Sequence, residues 1–352
     1  MKEVYITRAI LKDYLTIKEV NITFNKGINI IIGKNGTGKT NFINYLTDSL
    51  QLSPEFSNSE VNFSHSDEIY TKKNISSKYI SEDLTQMEIN EISLFHNDIL
   101  IDGKRPILAA IVPVLISHGI PEKYDIADEP FSGSIIKIDG NGGYINFLNP
   151  RKTRLVGAIG FDYIANVIFK NKSKADFVNS SVLLKLSSNL NRFSHIKEIR
   201  FGLNYKINDI DEEEISFNNL YLEYFVNDEW LVFNQLSDGT KRLFYIISEI
   251  TLSDKNIILL EEPELGLHPH QLHRLMDFIK EKSEDIQFII TTHSPVVLNI
   301  LNKDELDGII IAKFEDGQTK LVHLTDEQKH KAQLYMEDLD LSDYWVHSDL
   351  EE

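Results

Sequence analysis

A glycine-rich segment near the N-terminus, GKNGTGKT at residues 33–40, matches the pattern GxxxxGK[ST]. In this pattern backbone N–H groups surround phosphate oxygens, a lysine neutralises the β- and γ-phosphates, and a hydroxyl ligates Mg²⁺. The segment lies between an apolar run and an amphipathic stretch, which favours this interpretation over a glycine-rich turn with a chance lysine. We therefore predict a site for ATP and Mg²⁺ that contains Gly33, Asn35, Gly36, Thr37, Gly38, Lys39 and Thr40.

Two adjacent carboxylates follow a second apolar run, Ile257 to Leu260. Ligands collect at the carboxyl ends of strands in open α/β sheets, so both side chains are expected beside the phosphates. Glu261 would join Thr40 in binding Mg²⁺, and Glu262 would be the general base that orients and polarises the attacking water. The alternative is a surface acidic pair after a strand, but the turn sequence PELGLHP that follows resembles a dedicated loop.

Two shorter motifs complete the set of residues that could do chemistry. In LSDGTKR, Ser237 and Gly239 precede an apolar-periodic helix, and helix capping alone would explain the serine. The position of this motif between the two others favours a functional role. In TTHSP, His293 follows the apolar run Ile286 to Ile290 and is expected to hydrogen-bond the γ-phosphate, with an ordinary loop histidine as the alternative.

Hydrophobic periodicity predicts the elements that position these motifs. Ile28 to Ile32 is suited to a buried parallel strand, and apolar residues at positions 42, 43, 46 and 50 then predict a helix. Near the other end of the chain, two apolar runs flank a helical pattern that includes Leu272 and Leu275. Such strand–helix–strand units imply an α/β fold, with a mixed, mostly parallel sheet and flanking helices.

The middle of the chain has a mixed pattern. It contains a helix-like run from Ile107 to Ile116 and strand-like runs at residues 134–138 and 144–148, without the sustained heptads of a coiled-coil arm. We expect residues 1–50 and 226–300 to form the core, and residues 51–225 to form an inserted second α+β lobe. Residues 301–352 would form a C-terminal extension of strand and helix with an acidic tail.

Composition excludes several classes of protein. The 352-residue chain, 42% hydrophobic, can bury one or two cores, and no apolar run approaches the roughly 20 residues that span a bilayer. The N-terminus lacks a secretory pattern. The absence of cysteine excludes thiolate metal sites and fits a reducing compartment. We expect a soluble, cytoplasmic protein with no membrane partner.

The formal net charge of −18 disfavours non-specific binding to nucleic acid, because such a field repels a polyanion. A local basic groove stays open as an alternative to scattered solvated lysines, since the distribution of charge decides docking. The residues of that groove would be Lys72, Lys73, Lys78, Lys104, Arg105, Arg151, Lys152 and Arg154.

The motifs occur in the order found in ABC-type ATPase heads: Walker A, the signature LSDGTKR, the Walker B and D-loop segment LLEEPELGLHP, and the switch-histidine segment TTHSP. With the opening ITRAILKDYLTIKEVNITF, they resemble the heads of the RecF, SMC and OLD ATPases over about residues 1–50 and 230–300. Closer still are compact standalone AAA-family ATPases, often encoded beside an effector in bacterial anti-phage defence or toxin modules. The resemblance implies a P-loop fold and Mg²⁺-dependent hydrolysis of ATP to ADP and phosphate.

The resemblance also implies a homodimer that binds ATP between its two heads. Each Walker A site would receive Ser237 and Gly239 from the partner's signature. The D-loop, Glu264 to His268, would lie across the same interface.

The chain departs from the family pattern in several places. Glu261 stands where aspartate is usual, and Asp238 stands at the first glycine position of the signature. For the glutamine that normally joins the two lobes, Gln86 is one candidate. The Toprim nuclease domain of OLD nucleases is not expected, because the DxD match at Asp338 and Asp340 follows no buried strand and is interpreted as an acidic tail.

Two functions of different classes follow from the resemblance. The first is an ATP-driven switch or scaffold that restrains or releases a separately encoded effector, with phage defence as the setting. The second is a RecF-like DNA-repair ATPase that clamps duplex DNA, for which a basic groove on the dimer would be the discriminating feature. A transporter subunit fits poorly, because the signature differs from the LSGGQ of transporters.

Overall fold

The computed structural model describes residues 4–52, 58–80, 86–101, 105–119, 131–138, 142–147, 181–204, 206–207 and 214–348. The helices of these ranges are α1 (Lys39–Leu50), α2 (Arg105–Ala110), α3 (Ser181–Phe193), α4 (Asp238–Leu252), α5 (Pro269–Lys282), α6 (Asp326–Tyr335) and α7 (Leu341–His347). The strands of the first half are β1 (Val4–Tyr14), β2 (Ile17–Thr23), β3 (Ile28–Ile32), β4 (Ser59–His65), β5 (Glu68–Ile80), β6 (Gln86–His96), β7 (Ile99–Leu100), β8 (Val114–Ile116), β9 (Phe131–Ile138) and β10 (Gly142–Phe147). The remaining strands are β11 (Glu198–Phe201), β12 (Lys206–Ile207), β13 (Glu214–Leu220), β14 (Leu222–Val226), β15 (Glu229–Leu231), β16 (Ile257–Glu261), β17 (Gln287–Thr292), β18 (Ile309–Glu315) and β19 (Gln318–His323).

The chain folds into two compact units. The first contains residues 1–118, 254–265 and 279–352, and the second contains residues 119–253 and 266–278. This division differs from the lobes expected from the sequence, which assigned residues 51–118 to the inserted lobe. Those residues belong to the first unit because β4 pairs with β1 and continues its antiparallel sheet through β5, β6 and β7.

The central sheet of the first unit has the strand order β19-β18-β3-β17-β16-β8. All neighbouring pairs from β18 to β8 are parallel, and only the edge strand β19 runs antiparallel. The strands β3, β16 and β17 are buried along their whole length, as expected for parallel strands covered on both faces. The predicted α/β class with a mixed, mostly parallel sheet is confirmed.

A second sheet in the first unit, of order β2-β1-β4-β5-β6-β7, is antiparallel throughout. Its inner face and the central sheet share one hydrophobic core with α1, whose Phe42 and Leu46 are fully buried. Each such side chain contributes about 1.5–3 kcal/mol of burial free energy. The predicted amphipathic helix after the glycine-rich loop is therefore present, and its apolar face anchors the loop.

The run from Ile107 to Ile116 is not one helix, so that prediction was wrong. Helix α2 ends at Ala110, and β8 begins at Val114 and pairs in parallel with β16. Pro113 explains the change, since proline lacks the N–H that a helix needs and disfavours helical backbone at the preceding residue. The apolar run thus supplies an edge strand of the central sheet.

Two strands after residue 300, β18 and β19, belong to the central sheet. Strand β18 pairs in parallel with β3, the strand that leads into the glycine-rich loop. The DxD match lies in the turn between α6 and α7, where Asp340 is the N-terminal residue that precedes α7.

The second unit contains two antiparallel sheets, β10-β9-β13-β12 and β11-β14-β15. Strands β9 and β10 lie where strand-like runs were predicted. Helices α3 and α4 are joined by a hydrogen bond that Asn189 donates to the Thr251 hydroxyl at 2.9 Å. Tyr224, Phe233 and Phe244 form a buried aromatic cluster beside α4.

Candidate functional site

The glycine-rich loop connects β3 to α1, and glycine is required at its last turn. Gly38 precedes α1 with φ of 90°, a left-handed conformation that other residues rarely adopt. A Cβ atom at this position would lie 2.0 Å from the Thr319 hydroxyl of β19. Thr319 in turn is hydrogen-bonded to Thr16 at 2.7 Å, and Asn41 donates to Thr16 at 3.0 Å. The C-terminal strands thus help to shape the phosphate loop.

Side chains of the loop hold its own backbone in place. Lys39 is buried, and its Nζ donates to the carbonyl oxygens of Gly33 at 2.7 Å and Lys34 at 3.0 Å. The Thr37 hydroxyl donates to the same Lys34 carbonyl at 2.9 Å. The apex of the loop, including Asn35, is exposed. Gly36, also exposed, has φ of 83°. These hydrogen bonds hold the loop in a defined conformation, and the lysine contacts the backbone that would surround phosphates.

The two residues predicted to bind Mg²⁺ lie side by side. The Thr40 hydroxyl donates to Glu261 Oε1 at 2.7 Å, and Glu261 is only 3% exposed at the end of β16. A hydroxyl and a carboxylate are hard oxygen ligands, which suit Mg²⁺. The donor set therefore fits the cation that the motifs imply.

A histidine that the sequence analysis did not single out also contacts Glu261. His118 Nδ1 lies 3.0 Å from Glu261 Oε2, just after β8, the parallel neighbour of β16. Because a helix was predicted over residues 107–116, the sequence did not show that this histidine follows a core strand. Gln86, by contrast, is the first residue of β6 in the antiparallel sheet, not a residue after a strand of the central sheet.

Glu262, the predicted general base, lies in a strained turn directly after β16. Its φ is 41°, and its backbone N–H donates to the Thr291 carbonyl at 2.8 Å. A non-glycine residue in this region costs on the order of 1–3 kcal/mol, and such strain is one feature of functional sites. The turn brings Glu262 Oε1 to 3.8 Å from His293 Nδ1, so the predicted base and the predicted switch histidine are neighbours.

Glu264, which the resemblance places in the D-loop, lies beside His293 in the same chain. Its Oε1 accepts hydrogen bonds from the Thr292 hydroxyl at 2.5 Å and from the His293 backbone N–H at 3.0 Å. The same oxygen lies 3.3 Å from His293 Nδ1, and the side chain is 8% exposed. The sequence signal was present: a third glutamate two positions after the pair, in a turn that must face the next parallel strand.

The signature segment lies in the second unit. The Ser237 hydroxyl caps α4 by accepting from the Thr240 backbone N–H at 3.3 Å, so capping is one role of this serine. The Asp238 side chain is almost fully exposed. Gly239 is buried, and a Cβ there would lie 2.9 Å from the Gly266 carbonyl oxygen. Close packing against the loop that follows Walker B therefore accounts for glycine at position 239 within one chain.

The structure describes the side chains of two of the residues named for the alternative basic groove, Lys72 and Lys73. Lys72 is fully buried and donates to the carbonyl oxygens of Ser49 and Gln51, each at 2.6 Å, so it caps α1 and does not face solvent. Lys73 pairs with Glu60 at 2.9 Å. The other side chains lie outside the described residues: Lys78, Lys104, Arg105, Arg151, Lys152 and Arg154.

Among the described helices, none has the length and apolarity needed to cross a bilayer.

Several known proteins are similar in sequence to this chain. Residues 155–299 match the family "AAA domain, putative AbiEii toxin, Type IV TA system". An "ATP/GTP phosphatase" of Helicobacter pylori (strain ATCC 700392 / 26695) is 25% identical over 347 residues, covering 91% of this chain and 92% of that protein. The Septu protein PtuA of Bacillus thuringiensis is 25% identical over 328 residues, covering 85% of this chain and 74% of that protein.

The fold is shared with an SMC head whose crystal structure was determined with the C-winged helix domain of ScpA. The TM-score is 0.54 at 17% identity, over 93% of this chain and 99% of that one. That likeness supports the fold, whereas the sequence relatives and the assembled Walker motifs support the activity. Together they support an ATP-hydrolysing P-loop enzyme whose fold and motifs are similar to the ABC-type heads of the RecF, SMC and OLD ATPases.

Proposed function

We propose that this protein is an Mg²⁺-dependent ATPase that acts as a nucleotide-dependent switch or scaffold for a separate effector, in phage defence. The observation that carries the proposal is the 2.7 Å hydrogen bond between Thr40 and Glu261, which joins the phosphate loop to the carboxylates of Walker B. Bound Mg²⁺ would offset the negative charge on the phosphate oxygens.

Each of these residues has a separate role in the proposed hydrolysis. Lys39 holds the β- and γ-phosphates, and Thr40 with Glu261 holds the cation. Glu262 accepts a proton from the attacking water and fixes its direction. His293, beside Glu262, contacts the γ-phosphate. The products are ADP and phosphate.

The proposed switch requires two partners: a second copy of the chain and an effector. A homodimer that binds ATP between its heads would close when ATP is bound and open after hydrolysis, so an effector could distinguish the two states. The similarity to Septu protein PtuA, which belongs to a defence system, supports the setting. The SMC head that binds a domain of ScpA supports the idea that a head of this fold holds a second protein.

The test combines calorimetry, phosphate release and light scattering on the full chain. Wild type should bind ATP, release phosphate only with a divalent cation, and dimerise with ATP, whereas Lys39→Ala should lose ATP binding. Unchanged nucleotide affinity in Lys39→Ala would contradict the assignment of the loop. The protein encoded by the neighbouring gene should bind the ATP state and the ADP state with different affinities. Stimulation of hydrolysis by duplex DNA alone would instead favour the RecF-like clamp.

A further inference from the structure

We infer that Glu264 is a positioning residue for His293: its carboxylate holds the imidazole ring at Nδ1 and leaves Nε2 for the γ-phosphate. The inference rests on the proposed ATPase function and assigns a role within the same site. Glu264 itself would touch neither the nucleotide nor the attacking water.

The first support is that one carboxylate oxygen meets both the backbone and the side chain of the histidine. Glu264 Oε1 accepts from the His293 backbone N–H at 3.0 Å and lies 3.3 Å from its Nδ1. A single acceptor placed between these atoms restrains the position of the residue and the rotation of its ring.

The second support is the chemistry of the two groups. An ionised carboxylate only accepts hydrogen bonds, so a ring nitrogen that faces it carries the hydrogen. The partner at one ring nitrogen selects the tautomer and thereby the role of the other nitrogen. In the neutral ring a hydrogen on Nδ1 makes Nε2 an acceptor; in the protonated ring both nitrogens carry a hydrogen, and Nε2 then donates to the γ-phosphate on the side of the ring away from Glu264.

The third support is that Glu264 is itself held in place. The Thr292 hydroxyl donates to its Oε1 at 2.5 Å, and Thr292 Oγ1 accepts from the Ser294 backbone N–H at 2.9 Å. These bonds link the turn after β16 to the residues that end β17. The carboxylate is thus fixed from the strand that carries the histidine, as positioning requires.

The fourth support is the burial of the carboxylate. The side chain is 8% exposed, and within the described part of the chain its Oε2 is buried without a hydrogen-bond partner. A buried carboxylate with hydrogen bonds to only one of its oxygens adds little to stability, because the cost of removing the charge from water offsets those bonds. Its hydrogen bonds to Thr292 and to the His293 backbone favour a role in the site. Glu262 Oε1 lies farther from Nδ1, at 3.8 Å.

The test is a double-mutant cycle between Glu264→Ala and His293→Ala, measured as phosphate release with saturating ATP and Mg²⁺. Glu264→Ala alone should lower kcat by about 10- to 100-fold, as for other residues that orient a functional histidine, with KM for ATP changed less than about twofold. In the His293→Ala background, the same change should cost less than about twofold. Fully additive losses would overturn the inference, because Glu264 would then act without the histidine.

Two further variants separate positioning from folding. Thr292→Val removes the hydroxyl that holds Glu264 and should produce a smaller loss that also vanishes without His293. Glu284→Ala, an exposed glutamate before β17, is the matched control and should retain full activity. If Glu264→Ala unfolds, Glu264→Leu replaces it in the cycle, since leucine keeps a side chain of similar size and offers no acceptor to His293.

A spectroscopic readout keeps the inference independent of the ATPase activity. Nitrogen-15 NMR of the histidine rings, with the His293 signals assigned by their loss in His293→Gln, should show Nδ1 carrying the hydrogen in wild type. In Glu264→Ala the two tautomers of His293 should mix. Identical His293 signals in both proteins would overturn the inference. A wild type that fails to hydrolyse ATP would contradict the proposed function and leave this measurement decisive for Glu264.

Discussion

Thr40 donates a 2.7 Å hydrogen bond to Glu261, although 221 positions separate the two residues in the chain. Thr40 lies at the start of α1, which follows β3, and Glu261 ends β16. Both strands pair with β17, so their carboxyl ends lie at one edge of the central sheet. That edge brings together the hydroxyl, the carboxylates and the switch histidine.

Thr40→Val should raise the Mg²⁺ concentration needed for half-maximal hydrolysis by about tenfold or more, because it removes one oxygen ligand and keeps the side-chain shape. A titration with Mg²⁺ at saturating ATP measures the effect. Thr47→Val is the matched control: it lies on the same helix, and its hydroxyl donates to the Ile43 carbonyl at 2.6 Å, away from Walker B. Equal Mg²⁺ requirements in the two variants would refute the assignment of Thr40.

Glu262→Gln should bind ATP normally and lose hydrolysis, because the amide keeps shape and hydrogen bonding but cannot accept the proton from water. The backbone with φ of 41° should be unaffected by this change. Calorimetry, phosphate release and light scattering would measure binding, turnover and the lifetime of the ATP-bound dimer, which should increase. Wild-type turnover would move the catalytic role to another carboxylate.

Ser237→Arg should bind ATP but fail to hydrolyse it, if the signature acts across a dimer interface. Mixing this variant with Lys39→Ala should restore part of the activity, since one site of the mixed dimer pairs an intact Walker A with an intact signature. The measurement is phosphate release against mixing ratio, with mixed dimers demonstrated separately.

A purely structural role for the cap predicts a different outcome. Ser237 accepts from the Thr240 backbone N–H, so Ser237→Ala should cost about 1 kcal/mol of stability whichever role is correct. If mixed dimers form and no activity returns at any ratio, the signature does not contribute across the interface.

Lys72 should make stability depend on pH. Burial lowers the pKa of Lys72 to about 7 in the folded chain, against about 10.4 when unfolded. Between these values the unfolded chain binds more protons, so stability rises with pH by up to about 1.4 kcal/mol per unit. The cost of burying the charge is complete below pH 7 and is lost above about pH 10.

The comparison is with Lys72→Met, which keeps the length of the side chain and removes the titration. Asn74 still donates to the Ser49 carbonyl at 3.0 Å, so the end of α1 remains partly capped. Denaturant unfolding of both proteins at pH 7, 8 and 9 should show wild type gaining stability relative to the variant. Parallel curves would mean that Lys72 stays charged in the folded chain.

The local parts of the site could be predicted from the sequence. Strand β3, the glycine-rich loop and α1 follow from residues close together in the chain, because glycine and apolar periodicity act over a few positions. The same holds for the carboxylates after β16, for Ser237 as the N-cap of α4 and for His293 after β17. The residues predicted to bind Mg²⁺ could be named because carboxyl ends of parallel strands share one edge.

Only the tertiary structure decided which distant segments meet. The apolar run before His118 suits a helix or a strand equally by its pattern, and pairing of β8 with β16 chose the strand. Lys72 looks like a surface lysine until β5 pairs with β4 and brings it under the end of α1. Glu264 gained its contact with His293 only because β16 and β17 are neighbours. Such contacts depend on long-range packing, which overrides local preference and leaves no periodic trace in the residues themselves.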